Sequence, residues 1–166
     1  HFVIKGFAVS IKQITTYIVS HRLQKHRNPK QFFNIHSKYF SWYQFMASAE
    51  FVIPGDLSTR YFDPRVLYDT KEDRFILILC NKEADDSGSK LLAFFSKSNN
   101  PSEGWYGYIF SGDPLHLDYW TDYPNIAISN NELYISTNQC KGSSCITSVI
   151  LALNKFSGYN GIPDFG

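Results

Sequence analysis

Two segments of this chain carry similar residue patterns 59 positions apart, residues 62–80 and residues 121–139. In each segment an acidic turn, a short apolar strand, a polar turn and a second short strand follow in the same order. The offset aligns Asp63 with Asp122, Leu67 with Ile126, Phe75 with Tyr134, and Ile76 with Ile135. Repetition at this period is typical of repeat architectures, in which each unit buries its apolar face against a neighbouring unit.

The composition and the turn spacing both favour β-structure. The 166 residues include 14 Phe and 11 Tyr but only one Met, and aromatic and β-branched side chains are enriched in strands. The pattern of residues 1–20 predicts two strands, and the aromatic-rich stretch 32–46 fits either a short helix or a strand. Clusters of polar residues, Gly and Pro then separate the clearest predicted strands, which are 65–68, 74–80, 91–97, 105–110, 125–128, 132–138 and 145–153.

About four strands per 59-residue period predict the four-stranded blades of a β-propeller. The expected fold is therefore all-β, a partial propeller of about three antiparallel blades. Residues 1–60 form a poorly matched blade-like segment, 61–120 a blade, and 121–166 an incomplete blade. Closed propellers contain about four to eight blades, so we expect the remaining blades to be partners supplied by a longer parent chain or an assembly.

Charge and hydropathy exclude several classes of partner. Residues 1–50 carry seven Lys/Arg and one acid, residues 51–166 carry nine and fourteen, and the net charge is +1. The net charge argues neither for nucleic acid nor for an acidic partner, and we expect no nucleic-acid partner. The longest strictly apolar run has six residues, which predicts no membrane insertion. The chain starts at His1 without a basic leader, which indicates a processed mature protein, a trimmed chain or a fragment.

Three segments, DPRVLYD (63–69), SKSNNPSEGWY (96–106) and DYPNIAIS (122–129), occur in this order. Together they resemble blade motifs of secreted and cell-surface bacterial β-propeller proteins, over residues 62 to about 155. The departures are local, since Asn100 stands where the family usually has Asp and Glu103 replaces a small residue. The resemblance implies an extracellular or cell-surface location and brings no catalytic residues with it.

Four residues at the expected blade entries are candidates for ligand binding, namely Asp63, Arg65, Asp122 and Tyr123. Near a propeller axis the two acids could face a ligand or bind a hard cation such as calcium. The alternative is turn chemistry, in which Asp accepts bonds from the backbone ahead of it and Pro fixes φ. Arg65 would then pair with a carboxylate.

Two tryptophans and two cysteines complete the candidates. Trp105 and Trp120 could stack on a sugar ring or a partner side chain, or could pack within the core. Cys140 and Cys145 predict either a disulfide across a short hairpin or half of a metal site. No second pair of ligands lies at metal-binding spacing, so we expect no metal there. Cys80 ends an apolar strand and is expected to be a buried thiol.

The leading functional hypothesis is a non-catalytic binding or scaffolding module that takes a glycan or a protein ligand, without a cofactor other than possible calcium. The alternative is a glycoside hydrolase with Asp63 as base and Glu103 or Glu132 as the acid, because such enzymes need two carboxyl groups about 5–10 Å apart. A third hypothesis uses His1 as part of a copper site, which nothing else in the sequence supports. The lack of a catalytic signature favours the non-enzymatic role.

Overall fold

The computed structural model describes Phe45 and residues 60–82 and 88–163. All of these except Phe45 belong to a compact unit that spans Met46–Gly166. Phe45 itself is helical. The other predictions for residues 1–59, including the two N-terminal strands and the copper site at His1, lie outside the described residues.

Seven strands form two antiparallel sheets. Sheet A has the strand order β1-β2-β3-β4 and sheet B the order β5-β6-β7. The strands are β1 (Arg60–Asp69), β2 (Arg74–Lys82), β3 (Lys90–Ser96), β4 (Trp105–Ser111), β5 (Trp120–Ile128), β6 (Glu132–Lys141) and β7 (Ser144–Asn154). A 3₁₀ turn at Pro101–Glu103 precedes β4, and a short helix, α1 (Lys155–Tyr159), follows β7.

Each strand predicted in this part of the chain overlaps one of these seven, so the all-β prediction is confirmed. Trp120 lies outside the predicted strand 125–128, but in the structure it begins β5. The residues that the structure describes make two separate sheets of four and three strands, and do not close a ring.

The core lies between the two sheets. Inward-facing residues of sheet A, such as Ile76, Ile78 and Phe95, pack against Leu133 and Ile135 of sheet B. Each of these five is fully buried. In β2 every residue from position 75 to 81 is buried, so both faces of this strand are covered. This explains why its sequence is a continuous apolar run and does not alternate.

The first hairpins of the two sheets are alike but are related by two different offsets. Arg65 follows a bulge in β1 and Asn125 follows a bulge in β5, so the first strands are related by an offset of 60 in residue number. Their strand partners, Ile78 and Ser136, are related by an offset of 58. The offsets differ because the hairpin turn contains four residues in sheet A and two in sheet B. The 59-residue spacing in the sequence is the mean of these values.

The two sheets stack with corresponding faces pointing in the same direction. Ile76 and Ile78 of β2 face sheet B. With the offset of the second strands, the equivalent positions in β6 are Tyr134 and Ser136, which alternate with the inward-facing Ile135 and therefore point away from sheet A. The face of sheet B that contacts sheet A is therefore equivalent to the outer face of sheet A, the face that points away from sheet B.

A buried ion pair joins the two sheets at the hairpin end. Lys155 Nζ lies 2.7 Å from Asp69 Oδ2, and the two side chains are 1% and 2% exposed. The same ammonium donates to the carbonyl of Ser129 at 3.2 Å. The Tyr159 hydroxyl donates to Asp69 Oδ2 at 3.1 Å. Helix α1 is therefore tied to the first turn of sheet A and to the first turn of sheet B.

These contacts change the pKa of two groups. Burial acts to raise the pKa of Asp69, but the Lys155 hydrogen bond and two backbone N–H groups outweigh it, so the pKa is lowered. The backbone donors are the amides of Glu72 and Lys71. Burial and the neighbouring Asp69 carboxylate raise the pKa of Tyr159. The native state therefore holds an ionised Asp69 and a neutral Tyr159.

Candidate ligand site at two strand bulges

A bulge in β1 is produced by an Asp-Pro pair. The register between β1 and β2 shifts between Phe62 and Arg65. Asp63 lies in this bulge with φ of 49°, and Asp is among the few residues that visit the left-handed region. Pro64 follows and has no N–H to continue the ladder, so it is tolerated only at an edge or a bulge. The sequence therefore interrupts the strand at a defined place.

A matching bulge interrupts β5 between Asp122 and Asn125. Tyr123 has φ of 48° and is followed by Pro124. A bulky aromatic residue in this conformation is uncommon and persists only where the surroundings hold it. Its side chain is 55% exposed. The second bulge thus presents a tyrosine ring to solvent.

The two bulges revise the sequence alignment. With the offset of 60 between the first strands, Asp63 corresponds to Tyr123 and Pro64 corresponds to Pro124. The sequence offset of 59 instead aligns Asp63 with Asp122. The element that the two hairpins share is therefore the bulge proline, and the two acids occupy different positions of their bulges.

Arg65 connects the two bulges. Its Nε donates a hydrogen bond of 2.9 Å to the carbonyl of Pro124. Its guanidinium carbon lies 5.0 Å from the centroid of the Tyr123 ring, within the range of a cation–π contact. The expectation that Arg65 pairs with a carboxylate differs from these contacts, which are with a backbone carbonyl and an aromatic ring. Together Asp63, Arg65, Asp122 and Tyr123 are called the bulge site below.

The carboxylates of Asp63 and Asp122 both raise the pKa of one buried thiol, that of Cys80. Burial raises the pKa of Cys80, and the negative charges of Asp63 and Asp122 raise it further. The Thr121 hydroxyl and the Arg65 guanidinium act in the opposite direction. Cys80 is fully buried and not bonded to another cysteine. It therefore remains a neutral thiol, which excludes it as a nucleophile.

The inter-sheet contact becomes polar close to the bulges. Thr121 and Gln139 are paired across β5 and β6, and both are buried. Gln139 Nε2 donates to Thr137 Oγ1 at 3.3 Å, while Gln139 Oε1 has no hydrogen-bond partner among the described residues. The Ser89 hydroxyl accepts from the Thr121 amide at 3.0 Å. Buried polar residues therefore lie between the sheets next to the β5 bulge, as they do at the hairpin end around Lys155 and Asp69.

Trp120 borders the bulge site but is held by its neighbours. Lys82 Nζ lies 3.5 Å from its ring centroid, and the Phe62 ring meets it edge-on at 6.2 Å. Its indole N–H donates to the Gly142 carbonyl at 3.1 Å. The residue is half-buried. Trp120 thus extends the aromatic surface around the bulges and is fixed in position.

Trp105 is not part of this site. It is 3% exposed, and its indole N–H donates to the Pro101 carbonyl at 2.9 Å. Trp105 pairs with Ser96, whose hydroxyl accepts from the Phe75 amide at the hairpin end of sheet A. Its ring therefore packs in the interior at the end of the sheet opposite to the bulges, and is not available to stack on a ligand.

Both glutamates considered as acid partners of Asp63 also lie at the hairpin end. Glu103 belongs to the turn before β4, and Glu132 begins β6. Six residues of β1 separate Asp63 from Asp69 at that end, which corresponds to roughly 20 Å at about 3.3 Å per residue. This exceeds the roughly 5–10 Å that glycoside hydrolysis requires. The pairing of Asp63 with either glutamate is therefore wrong.

Cys140 and Cys145 form a disulfide across the hairpin of β6 and β7. The carboxylate of Asp122 and the two sulfur atoms lie within 4.8 Å of one another. Metal coordination by cysteine uses the thiolate, which a disulfide does not offer. In the oxidised form only the Asp122 carboxylate is left as a ligand here, and calcium at the bulge site remains a prediction.

Comparison with protein-family models, with curated proteins and with solved structures found no match to this chain. Among the described residues, no helix has both the length and the apolar character needed to cross a membrane.

Proposed function

We propose that this chain is a non-catalytic binding module of a secreted or cell-surface bacterial protein, and that it recognises a glycan or protein ligand at the bulge site. The observation that carries the proposal is the exposed ring of Tyr123, a residue that lies in the β5 bulge with φ of 48° and is contacted by Arg65, which follows the β1 bulge. Backbone strain of this kind is concentrated at sites that bind or react. Tyr and Arg are also the residues enriched at the centres of interfaces.

A propeller-like parent is part of the proposal. The matching bulges in β1 and β5 support it, and so does the fact that corresponding faces of the two sheets point in the same direction, because successive units of a repeat protein stack in this way. In such an arrangement the remaining blades would pack beside the two sheets, and β1 and β5 would be neighbouring inner strands. The bulge site would then lie near the axis.

The extracellular location rests on the resemblance and is supported by the disulfide between Cys140 and Cys145. Disulfides persist in oxidising compartments and are rare in the cytosol. The non-catalytic assignment is supported by the chemistry near the bulges, where the Cys80 thiol is held neutral. The glutamates that could assist Asp63 lie at the opposite end of the sheets.

A glycan array tests the proposal directly. Glycans retained by the wild-type chain are titrated by calorimetry against Tyr123→Ala and a matched control, Tyr134→Ala, which removes a ring that is 38% exposed on the outer face of sheet B. We expect the first variant to weaken binding at least tenfold and the second to bind like the wild type. Equal loss in both variants, or no loss in either, would contradict ligand binding at the bulge site.

A hydrolase remains the second candidate because one observation favours it. Asp63 in β1 and Asp122 in β5 belong to two strands that contact each other, and both carboxylates raise the pKa of Cys80, so these two acids could act together. A screen with chromogenic glycosides would compare the wild type with Asp63→Asn and Asp122→Asn. Hydrolysis that either substitution abolishes would favour the enzyme, whereas activity unchanged by both would eliminate it.

A further inference from the structure

The disulfide between Cys140 and Cys145 lies beside an acid from a third strand. The Asp122 carboxylate and the two sulfur atoms are within 4.8 Å of one another. Asp122 belongs to β5, Cys140 to β6 and Cys145 to β7, so the pairing of the three strands in sheet B brings these groups together. Within the described part of the chain, the Asp122 carboxylate accepts no hydrogen bond and forms no ion pair. A carboxylate without a partner therefore lies next to the sulfur atoms.

The disulfide contributes little to closing its hairpin. Cys140 pairs with Cys145 in the β-ladder, and the next pair towards the turn is Lys141 with Ser144. The disulfide therefore joins two positions that the ladder already holds opposite each other. The two cysteines are only 5 positions apart in the sequence, and the stabilisation that a disulfide provides grows with the length of the loop that it closes. The hairpin therefore persists when the disulfide is reduced.

The reduced hairpin would also keep its two thiols in place. The Trp120 indole N–H donates to the Gly142 carbonyl in the turn at 3.1 Å, and this bond does not involve the sulfur atoms. Cys140 is fully buried, whereas Cys145 is exposed, so a reductant in solvent reaches the Cys145 sulfur. Exposed disulfides are the ones that are reduced most readily. The pair is therefore open to reduction without loss of the surrounding structure.

We propose that the reduced Cys140 and Cys145, together with Asp122, form a redox-controlled site for a divalent cation of the Zn²⁺ type. A dithiol reductant transfers two electrons and two protons to the protein disulfide and is itself oxidised to a disulfide. The cation then displaces the two thiol protons and binds two thiolates and one carboxylate oxygen, which are ligands that zinc prefers. The exposure of Cys145 leaves the fourth position to water.

The third ligand explains why the sequence predicts no metal here. That prediction rested on the lack of a second pair of Cys or His at ligand spacing, whereas Asp122 lies 18 positions before Cys140 and reaches it through the sheet. Once the disulfide is reduced, rotation of the side chains lets the sulfur atoms separate to the roughly 3.8 Å that two zinc–sulfur bonds of about 2.3 Å require. This inference does not depend on the ligand of the bulge site.

The test is a Co²⁺ titration of the 166-residue chain after reduction with a dithiol, which is then removed in the absence of oxygen. Co²⁺ accepts the same ligands as Zn²⁺, and its bonds to thiolates produce a charge-transfer absorption band in the near ultraviolet. We expect the reduced chain to develop this band at one Co²⁺ per chain and to lose it when Zn²⁺ is added. The oxidised chain should show no band, because its sulfur atoms are not thiolates.

Three variants identify the ligands. Cys145→Ser should abolish the band. Asp122→Asn should weaken Co²⁺ binding at least about tenfold, because even the loss of a group that only supports a ligand costs about 10–100-fold in metal affinity. The matched control is Asp118→Asn, which removes the acid that pairs with Lys141 in the same hairpin and should bind Co²⁺ like the wild type.

The same titrations can overturn the proposal. The absence of a band in the reduced wild type, an equal band in the oxidised chain, or a band that survives Cys145→Ser would each do so. Equal affinities of Asp122→Asn and Asp118→Asn for Co²⁺ would overturn it as well, because the carboxylate would then not be a ligand.

Discussion

Replacing Lys155 by Met removes the cation from a carboxylate that is almost completely inaccessible to water. Asp69 Oδ2 accepts a hydrogen bond of 2.7 Å from the Lys155 ammonium and one of 3.1 Å from the Tyr159 hydroxyl. Methionine has a similar length to lysine and remains apolar, so the substitution deletes the charge and the donors with little change in packed volume. The Ser129 carbonyl loses a donor in the same step.

The expected cost is large because the remaining charge stays buried. Removing one partner of a buried ion pair costs about 3–5 kcal/mol, since the other charge is then uncompensated in a medium of low polarity. For a domain of this size about 1 kcal/mol shifts the melting temperature by roughly 2–4 °C. We therefore expect Lys155→Met to lower the melting temperature by about 6–20 °C.

Two further variants separate the charge effect from the loss of packing. Lys141 and Asp118 form an exposed ion pair at 3.3 Å, with side chains 59% and 92% exposed. Lys141→Met should therefore change stability by no more than about 0.5 kcal/mol. In the double variant of Lys155→Met with Asp69→Asn, the buried charge is absent and the amide oxygen can still accept the backbone bonds of the turn. This double variant should be more stable than Lys155→Met alone.

Thermal unfolding measures the melting temperatures, and urea unfolding at several pH values measures the free energy of unfolding. The pKa of Asp69 is lowered in the folded state, so its stabilising contribution is complete above its unfolded pKa of about 3.9 and is lost as the pH falls through the folded pKa. The stability difference between the wild type and Asp69→Asn should therefore shrink below pH of about 4. A Lys155→Met variant no less stable than Lys141→Met would refute the reasoning.

Two other substitutions test the backbone conformation at the β1 bulge and the packing of α1 against β3. Asp63→Gly should stabilise the fold by up to about 1 kcal/mol, because Asp63 has φ of 49° and glycine adopts this conformation without a Cβ penalty. Asp122→Gly is the matched control and should destabilise the fold, since Asp122 has no positive φ; thermal unfolding of both checks the contrast. Gly158→Ala should cost about 1–3 kcal/mol, because a Cβ there would lie 2.4 Å from the Phe95 ring. Ser157→Ala in the same helix should be nearly neutral, and equal melting temperatures for these two variants would contradict the packing argument.

Local sequence signals predict the strands well. Every strand in the described part of the chain overlaps a predicted one, because apolar runs bounded by Gly, Pro, Asn and Asp report directly on backbone preference. The bulge prolines are visible in the sequence as Asp-Pro and Tyr-Pro pairs. Burial of Cys80 also follows from its place at the end of an apolar run.

Contacts between distant residues could not be predicted from the same signals. Lys155 follows β7 directly, and nothing in the sequence near it indicates that its ammonium is buried against a residue 86 positions earlier. The hydrogen bond from Arg65 to the Pro124 carbonyl spans 59 positions and depends on how the sheets stack. The sequence comparison, which uses a single offset of 59, does not reveal the two structural offsets of 60 and 58. The longer turn in sheet A compensates for the shift between the first strands.

The sequence by itself determined that this chain forms short antiparallel strands with two alike hairpins, because side-chain alternation and turn residues act within a few positions. The tertiary structure decided which of the candidate residues meet. It placed Arg65 on Tyr123, buried Trp105 at the opposite end, and left the β7 edge exposed. These outcomes depend on the relative position of the two sheets. That position is set by the sum of many weak packing contacts, so no single segment of the sequence determines it.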